Sequence, residues 1–144
     1  MHQILPHLLW VGHAEDGRDS RRIFDTGIQA LVQLAVEEPP VQPPRQLIYC
    51  RFPLLDGAGN PGELLSLAVS TVATLLQMRT PTLIFCGAGI SRSPAIAAAA
   101  LAVAHQQPAE HCLQQVARYH PCDLSPGLWD DVVRMVRSGR VEMR

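Results

Sequence analysis

Apolar positions along the chain follow two rhythms, and their alternation predicts the fold. Ile28 to Val36 is apolar almost throughout and Thr82 to Phe85 is a short apolar run, both as expected of strands buried on two faces. Gln46 to Phe52 reads as another strand, and Ile4 to Val11 as one or two short ones around Pro6, closing at Gly12. Between these lie segments of helical spacing. Glu15 to Thr26 is a polar helix stopped by Gly27. Leu65, Ala68, Val69, Val72, Leu75 and Leu76 form one buried stripe. That helix is expected to start with Asn60 as cap, Pro61 at the first position and Glu63 two places on, a capping-box arrangement. Ala95 to Val103 is apolar on every side, which predicts a helix buried in the middle of the fold. Pro108 starts a further helix, Ala109 to Tyr119, with Ala109, Cys112, Leu113, Val116 and Ala117 on one face. Ser125-Pro126 starts the last, with Trp129, Val132, Val133 and Val136 inward. Glu37 to Pro44 is a proline-rich, extended surface connection. Strands alternating with helices argue for an α/β fold, a three-layer sandwich with a central, mostly parallel sheet.

Size and charge narrow the classes. The 144 residues suffice for a single domain, 1–144, with a real core. Net charge is −1, and all twelve basic residues are arginines. They are scattered, with groups at Arg18-Arg21-Arg22 and Arg134-Arg137-Arg140-Arg144, the latter read as favourable charge at a helix C-terminus. No basic stripe of a nucleic-acid binder is present. The start lacks the features of a signal peptide, and the longest apolar run, Pro94 to Ala104, is only eleven residues. A cytoplasmic monomer without nucleic-acid or membrane partners is therefore expected, its four cysteines unpaired. His111-Cys112 and His120-Pro-Cys122 lack metal-ligand spacing, so no metal and no cofactor is expected.

The chemistry concentrates after the Thr82–Phe85 run. Cys86 leads through Gly87, Ala88, Gly89, Ile90 and Ser91 to Arg92 and Ser93-Pro94, a good N-cap followed by a good first helical residue. A loop so placed sits on a helix N-terminus, where free N–H groups and the macrodipole attract an anion. The glycines let successive amides turn inward as a nest. Cys86, beside a helix N-terminus and a guanidinium, is set up to ionise, and the thiolate is the nucleophile. Arg92 offers a fork for two phosphate oxygens. Cys112 and Arg118 repeat the bare spacing but have no glycines and no preceding strand, so that match is coincidental.

Cys86-Gly-Ala-Gly-Ile-Ser-Arg92-Ser93 resembles the signature of the dual-specificity branch of the cysteine-dependent protein tyrosine phosphatases. The resemblance implies the three-layer fold and a metal-independent phosphomonoesterase acting on phosphorylated protein or peptide. Cys86 would be the nucleophile and Arg92 with the amides of Gly87 to Arg92 the phosphate clamp, a site phosphate or sulfate could also fill. Ser93 would assist the leaving thiolate. It also implies a general-acid Asp upstream, for which Asp56 stands thirty residues before Cys86, in the glycine-rich loop Asp56-Gly-Ala-Gly-Asn60. Asn60 is read chiefly as a cap, with steering of Asp56 as the lesser role. One departure is Phe85, where the family usually has His. Two rival functions use the same loop: a phosphate-recognition module with little turnover, and sulfur or arsenate chemistry. Cys50 is read as a packed strand residue, with a protective disulfide to Cys86 as the lesser reading. The loop interior has no basic side chain, which favours phosphotyrosine over multiply phosphorylated inositols.

Overall fold

In the computed structural model, which describes residues 1–139, five strands make one sheet: β1 (His2–Leu5), β2 (Leu9–Gly12), β3 (Ala30–Ala35), β4 (Ile48–Leu54) and β5 (Thr82–Phe85). Their order is β1-β2-β5-β3-β4. Only the β1–β2 pair is antiparallel; β2, β5, β3 and β4 run parallel. Helices α1 (Ala14–Arg18) and α2 (Ser20–Thr26) cover one face. The other carries α3 (Gly62–Gln77), α4 (Arg92–His105), α5 (Ala109–Ala117) and α6 (Pro126–Arg137). The α/β sandwich expected from the pattern is the observed one.

The period of two along β5 feeds both layers. Leu83 and Phe85 join the smaller cluster with Trp10, Ile23, Ile28 and Leu31. Ile84 joins the larger one with Val69, Val72, Ile96, Leu128 and Val132. Every β5 side chain is buried, which explains the unbroken apolar run. α4 is sheathed by α3, α5 and α6, and Ala95 through Ala100 are wholly inaccessible. Small side chains there let three helices and the sheet approach its backbone.

The helix read over Glu15 to Thr26 is two. Asp19 leaves helical geometry at φ −85°, ψ 78°, and its carboxylate accepts from the Arg22 amide at 3.1 Å, capping α2. A residue whose side chain competes for backbone donors breaks a weak helix and starts the next. Gly27 ends α2 in the left-handed region at φ 84°, as its position suggested. Of the C-terminal arginines, Arg134 and Arg137 fall in the last turn of α6, while Arg140 and Arg144 lie outside the described residues.

Candidate active site

β5 delivers the chain to Cys86 at the carboxyl end of the parallel strands, where open α/β sheets place their sites. The helix beyond begins two residues earlier than the Ser93-Pro94 signal implies. Ser91 is the N-cap and Arg92 the first helical residue, so Ser93 lies inside the first turn. That shift brings Ser93 over the sulfur. Its amide donates to Cys86 Sγ at 3.4 Å, and its hydroxyl lies 3.2 Å from Sγ and 3.3 Å from the Gly12 carbonyl. A hydroxyl has one proton, so Ser93 serves either the carbonyl or the sulfur.

The carbonyls of the loop are tied down from three sides. Gly87 O accepts from the Ala14 amide at 3.1 Å, and Ile90 O from Asp123 at 2.8 Å. Gly89 O lies 2.5 Å from Nε2 of the buried His120. A carbonyl only accepts, so Nε2 carries the hydrogen. Gly89 has φ +80°, and a Cβ there would stand 2.8 Å from Gly12 O, so no other residue fits. With the carbonyls so engaged, the amides of Gly87 through Arg92 have no partner among the described residues. They form a ring of free donors.

Arg92 is buried behind this ring. Its Nη1 donates to Glu37 Oε1 at 2.6 Å and to Leu54 O at 2.9 Å, and its Nη2 to Glu37 Oε2 at 2.5 Å. Three of five N–H groups are thereby used. The two left over, on Nε and Nη2, lie side by side along one edge of the guanidinium, and Nε is buried without a partner. That edge is the fork a phosphate takes with two oxygens. Hydrogen bonds from Arg92 hold the Glu37 carboxyl down at about 2 from its usual 4.5, so the pair is ionic throughout the working pH range. Arg92 in turn is held more firmly protonated, first by Glu37, with Cys86 and Asp56 adding to it electrostatically. Arg51 Nη2 donates to Val36 O and Glu38 O, both at 3.2 Å, and so braces the turn that presents Glu37.

Asp56 is exposed at the rim, and its Oδ1 accepts from the Ser91 hydroxyl at 2.5 Å. Asn60 is not a cap. The N-cap of α3 is Pro61, and no side chain bonds there. Instead Asn60 Oδ1 accepts from Leu55 N at 2.8 Å, and Nδ2 donates to Leu55 O and Gly57 O at 2.9 and 3.3 Å. It closes the Asp56 loop on itself, so the steering role is the one its contacts fit. The loop also rests on α6, with Gly59 N donating to Asp131 at 3.2 Å. Ala58 lies so close to Gly127 that a Cβ there would come within 2.9 Å.

Phe85 is 1% exposed, and its ring fills the space above Gly17, where a Cβ would sit 2.3 Å from it. The departure at position 85 is therefore paired with a glycine opposite it. Cys50 is half-buried on β4, and burial pushes its thiol up, as it does for Cys112 and Cys122. β3 separates β4 from β5, so Cys50 and Cys86 are about 10 Å apart across the sheet alone. That is beyond disulfide reach, and the packed-residue reading fits. No His, Cys, Asp and Glu group among the described residues could hold a metal ion, and no described helix is long and apolar enough to cross a membrane.

The sequence assigns no role to His120 or Glu37, and to Ser125 only the start of the last helix, where the structure has it. Burial pushes the His120 imidazole below its usual 6.5. The neutral ring donates to Gly89 and receives His2 Nδ1 at 2.8 Å. A base whose folded value is depressed stabilises fully above its unfolded value and loses that contribution as pH falls below about 6.5. Urea midpoints should drop between about pH 7.5 and about pH 5.5 more for wild type than for His120→Gln, which cannot titrate. Equal drops would assign the acid sensitivity to another group.

No protein-family model matches the sequence, and no curated protein matches it. Solved structures do. Human DUSP28 superposes with a TM-score of 0.85 at 20% identity, covering 97% of this chain and 98% of that one. DUSP15 gives 0.80 at 19%, over 95% of this chain and 87% of that one. Human tyrosine phosphatase-like serine/threonine/tyrosine-interacting protein gives 0.76 at 20%, over 97% and 95%. At such identities the shared property is the fold, and the chain has that of the dual-specificity phosphatase-like proteins over nearly its whole length.

Proposed function

We propose that the chain is a metal-independent phosphomonoester hydrolase, most simply a protein tyrosine or dual-specificity phosphatase. The observation that carries this is the open edge of Arg92 beside a ring of free amides at the Cys86 loop. Such a site suits a tetrahedral dianion and stabilises the charge on its equatorial oxygens. In the first step a lone pair of Cys86 Sγ forms the S–P bond as the P–O bond to the leaving group breaks. The departing oxygen keeps that electron pair and takes a proton from Asp56. In the second, water attacks phosphorus and gives its proton to Asp56, and the sulfur leaves as thiolate, receiving the Ser93 hydroxyl proton as a hydrogen bond. The reading includes a cytoplasmic monomer with no cofactor. Release of phosphate from a panel of phosphopeptides, phosphoinositides and nucleotides, with EDTA present, tests it. Phosphotyrosine peptides should be the best substrates. Binding without release would favour the phosphate-recognition module, for which Phe85 is the motive.

Arg92→Lys should lower kcat/KM by roughly 100- to 1,000-fold, nearly as much as Arg92→Ala. A lysine supplies charge but neither the two-pronged edge nor the bonds to Glu37 and Leu54. A Lys variant near wild-type rate would show that charge alone is needed.

A further inference from the structure

We propose that Ser91 is a positioning residue that assigns the catalytic proton to Oδ2 of Asp56; this rests on the reading of Asp56 as general acid. Ser91 was singled out only for its amide, yet its side chain joins two segments remote in sequence. Its Oγ accepts from the Ser125 amide at 2.9 Å and donates to Asp56 Oδ1 at 2.5 Å. The residue is 5% exposed, so its bonds are poorly replaced by water.

The proton count follows from these two bonds. An amide can only donate, so Ser125 occupies a lone pair of Oγ. The single hydroxyl proton has one acceptor among the described residues, Asp56 Oδ1. A protonated Oδ1 would point its hydrogen at Oγ and leave the serine proton without a partner in a buried place. Every hydrogen is bonded only when Oδ1 accepts, and the acid hydrogen is then on Oδ2. Oδ2 has no partner among the described residues and belongs to an exposed side chain, free to meet a leaving oxygen. Ser125, as the residue entering α6, thus sets the direction of the serine hydroxyl and through it the face of the acid. A carboxyl free to rotate would present its proton only part of the time, and the loss would fall on substrates that need the proton.

The test compares single-turnover cleavage of a phosphotyrosine peptide and of an aryl phosphate with a very acidic phenol, in wild type, Ser91→Ala, Ser91→Thr and Asp56→Asn. Inorganic phosphate binding serves as the check that each variant is folded. Ser91→Ala should lose roughly tenfold on the peptide and several-fold less on the activated ester, so that the ratio of the two rates changes. Ser91→Thr, which keeps the hydroxyl, should restore the ratio. Equal losses on both substrates, or no loss on either, would overturn the proposal and leave Ser91 a loop residue. If Ser91→Ala fails to bind phosphate, Ser91→Gly takes its place in the comparison, with the same change of ratio expected and an unchanged ratio overturning the proposal. Should Asp56→Asn also show no dependence on the leaving group, the general-acid reading itself fails, and with it this proposal. A dependence in Asp56→Asn without one in Ser91→Ala overturns the proposal alone.

Discussion

Cys86→Ser should abolish turnover, by on the order of 10,000-fold or more, while inorganic phosphate still binds. The two outcomes separate because different atoms carry them. Binding uses the amides of Gly87 to Arg92 and the open edge of Arg92, none of which belongs to the Cys86 side chain. Bond formation to phosphorus uses Sγ alone. A serine hydroxyl in its place keeps the contact with Ser93 but ionises far less readily than a thiol, so it offers no comparable anion. Steady-state phosphate release and titration with inorganic phosphate measure the two separately. Substantial release by the Ser variant would mean that the nucleophile is elsewhere.

For Asp56→Asn the expected loss is roughly 100- to 10,000-fold on phosphotyrosine peptides and much smaller on an aryl phosphate with a very acidic phenol. The amide of Asn can still accept from Ser91 through its oxygen, so the loop geometry should survive and the proton alone is removed. The burst of the first turnover is the proper measure, since Asp56 is also the proposed base of the second step. Equal losses on both esters would make Asp56 a turn residue, and Asp123 and Asp130 would be the next donors to try.

What the sequence made legible is what lies close together along the chain. The run Thr82–Phe85, the two glycines and the alanine-rich helix signal a strand, a loop and a buried helix because each is a local preference. The supports of the site are not local. Glu37 is 55 residues from Arg92, His120 is 31 from Gly89, and Asp56 is 35 from Ser91. No periodicity connects such pairs. Asn60 misled because Asn-Pro-x-Glu fits a helix start, whereas Pro61, at ψ 132°, takes the cap position and frees the Asn side chain to turn back. Ser93 misled by two residues for the related reason that Ser-Pro is a strong start signal. At Phe85 the departure was visible, but its counterpart Gly17 was not, since only the sheet and α1 bring them together.

The three-sided bracing of the Cys86 loop bears on when the site comes into being. Ala14 grips it from the first fifth of the chain, and His120, Asp123 and Ser125 from the last. During synthesis the early strands and α3 can collapse as they emerge, but contacts of such long sequence separation close late. The Cys86 loop is therefore organised by the last described segments to dock. Until then the growing polypeptide carries Cys86 in a loop whose carbonyls are only partly held, and the proposed phosphate site takes shape only once His120, Asp123 and Ser125 have docked.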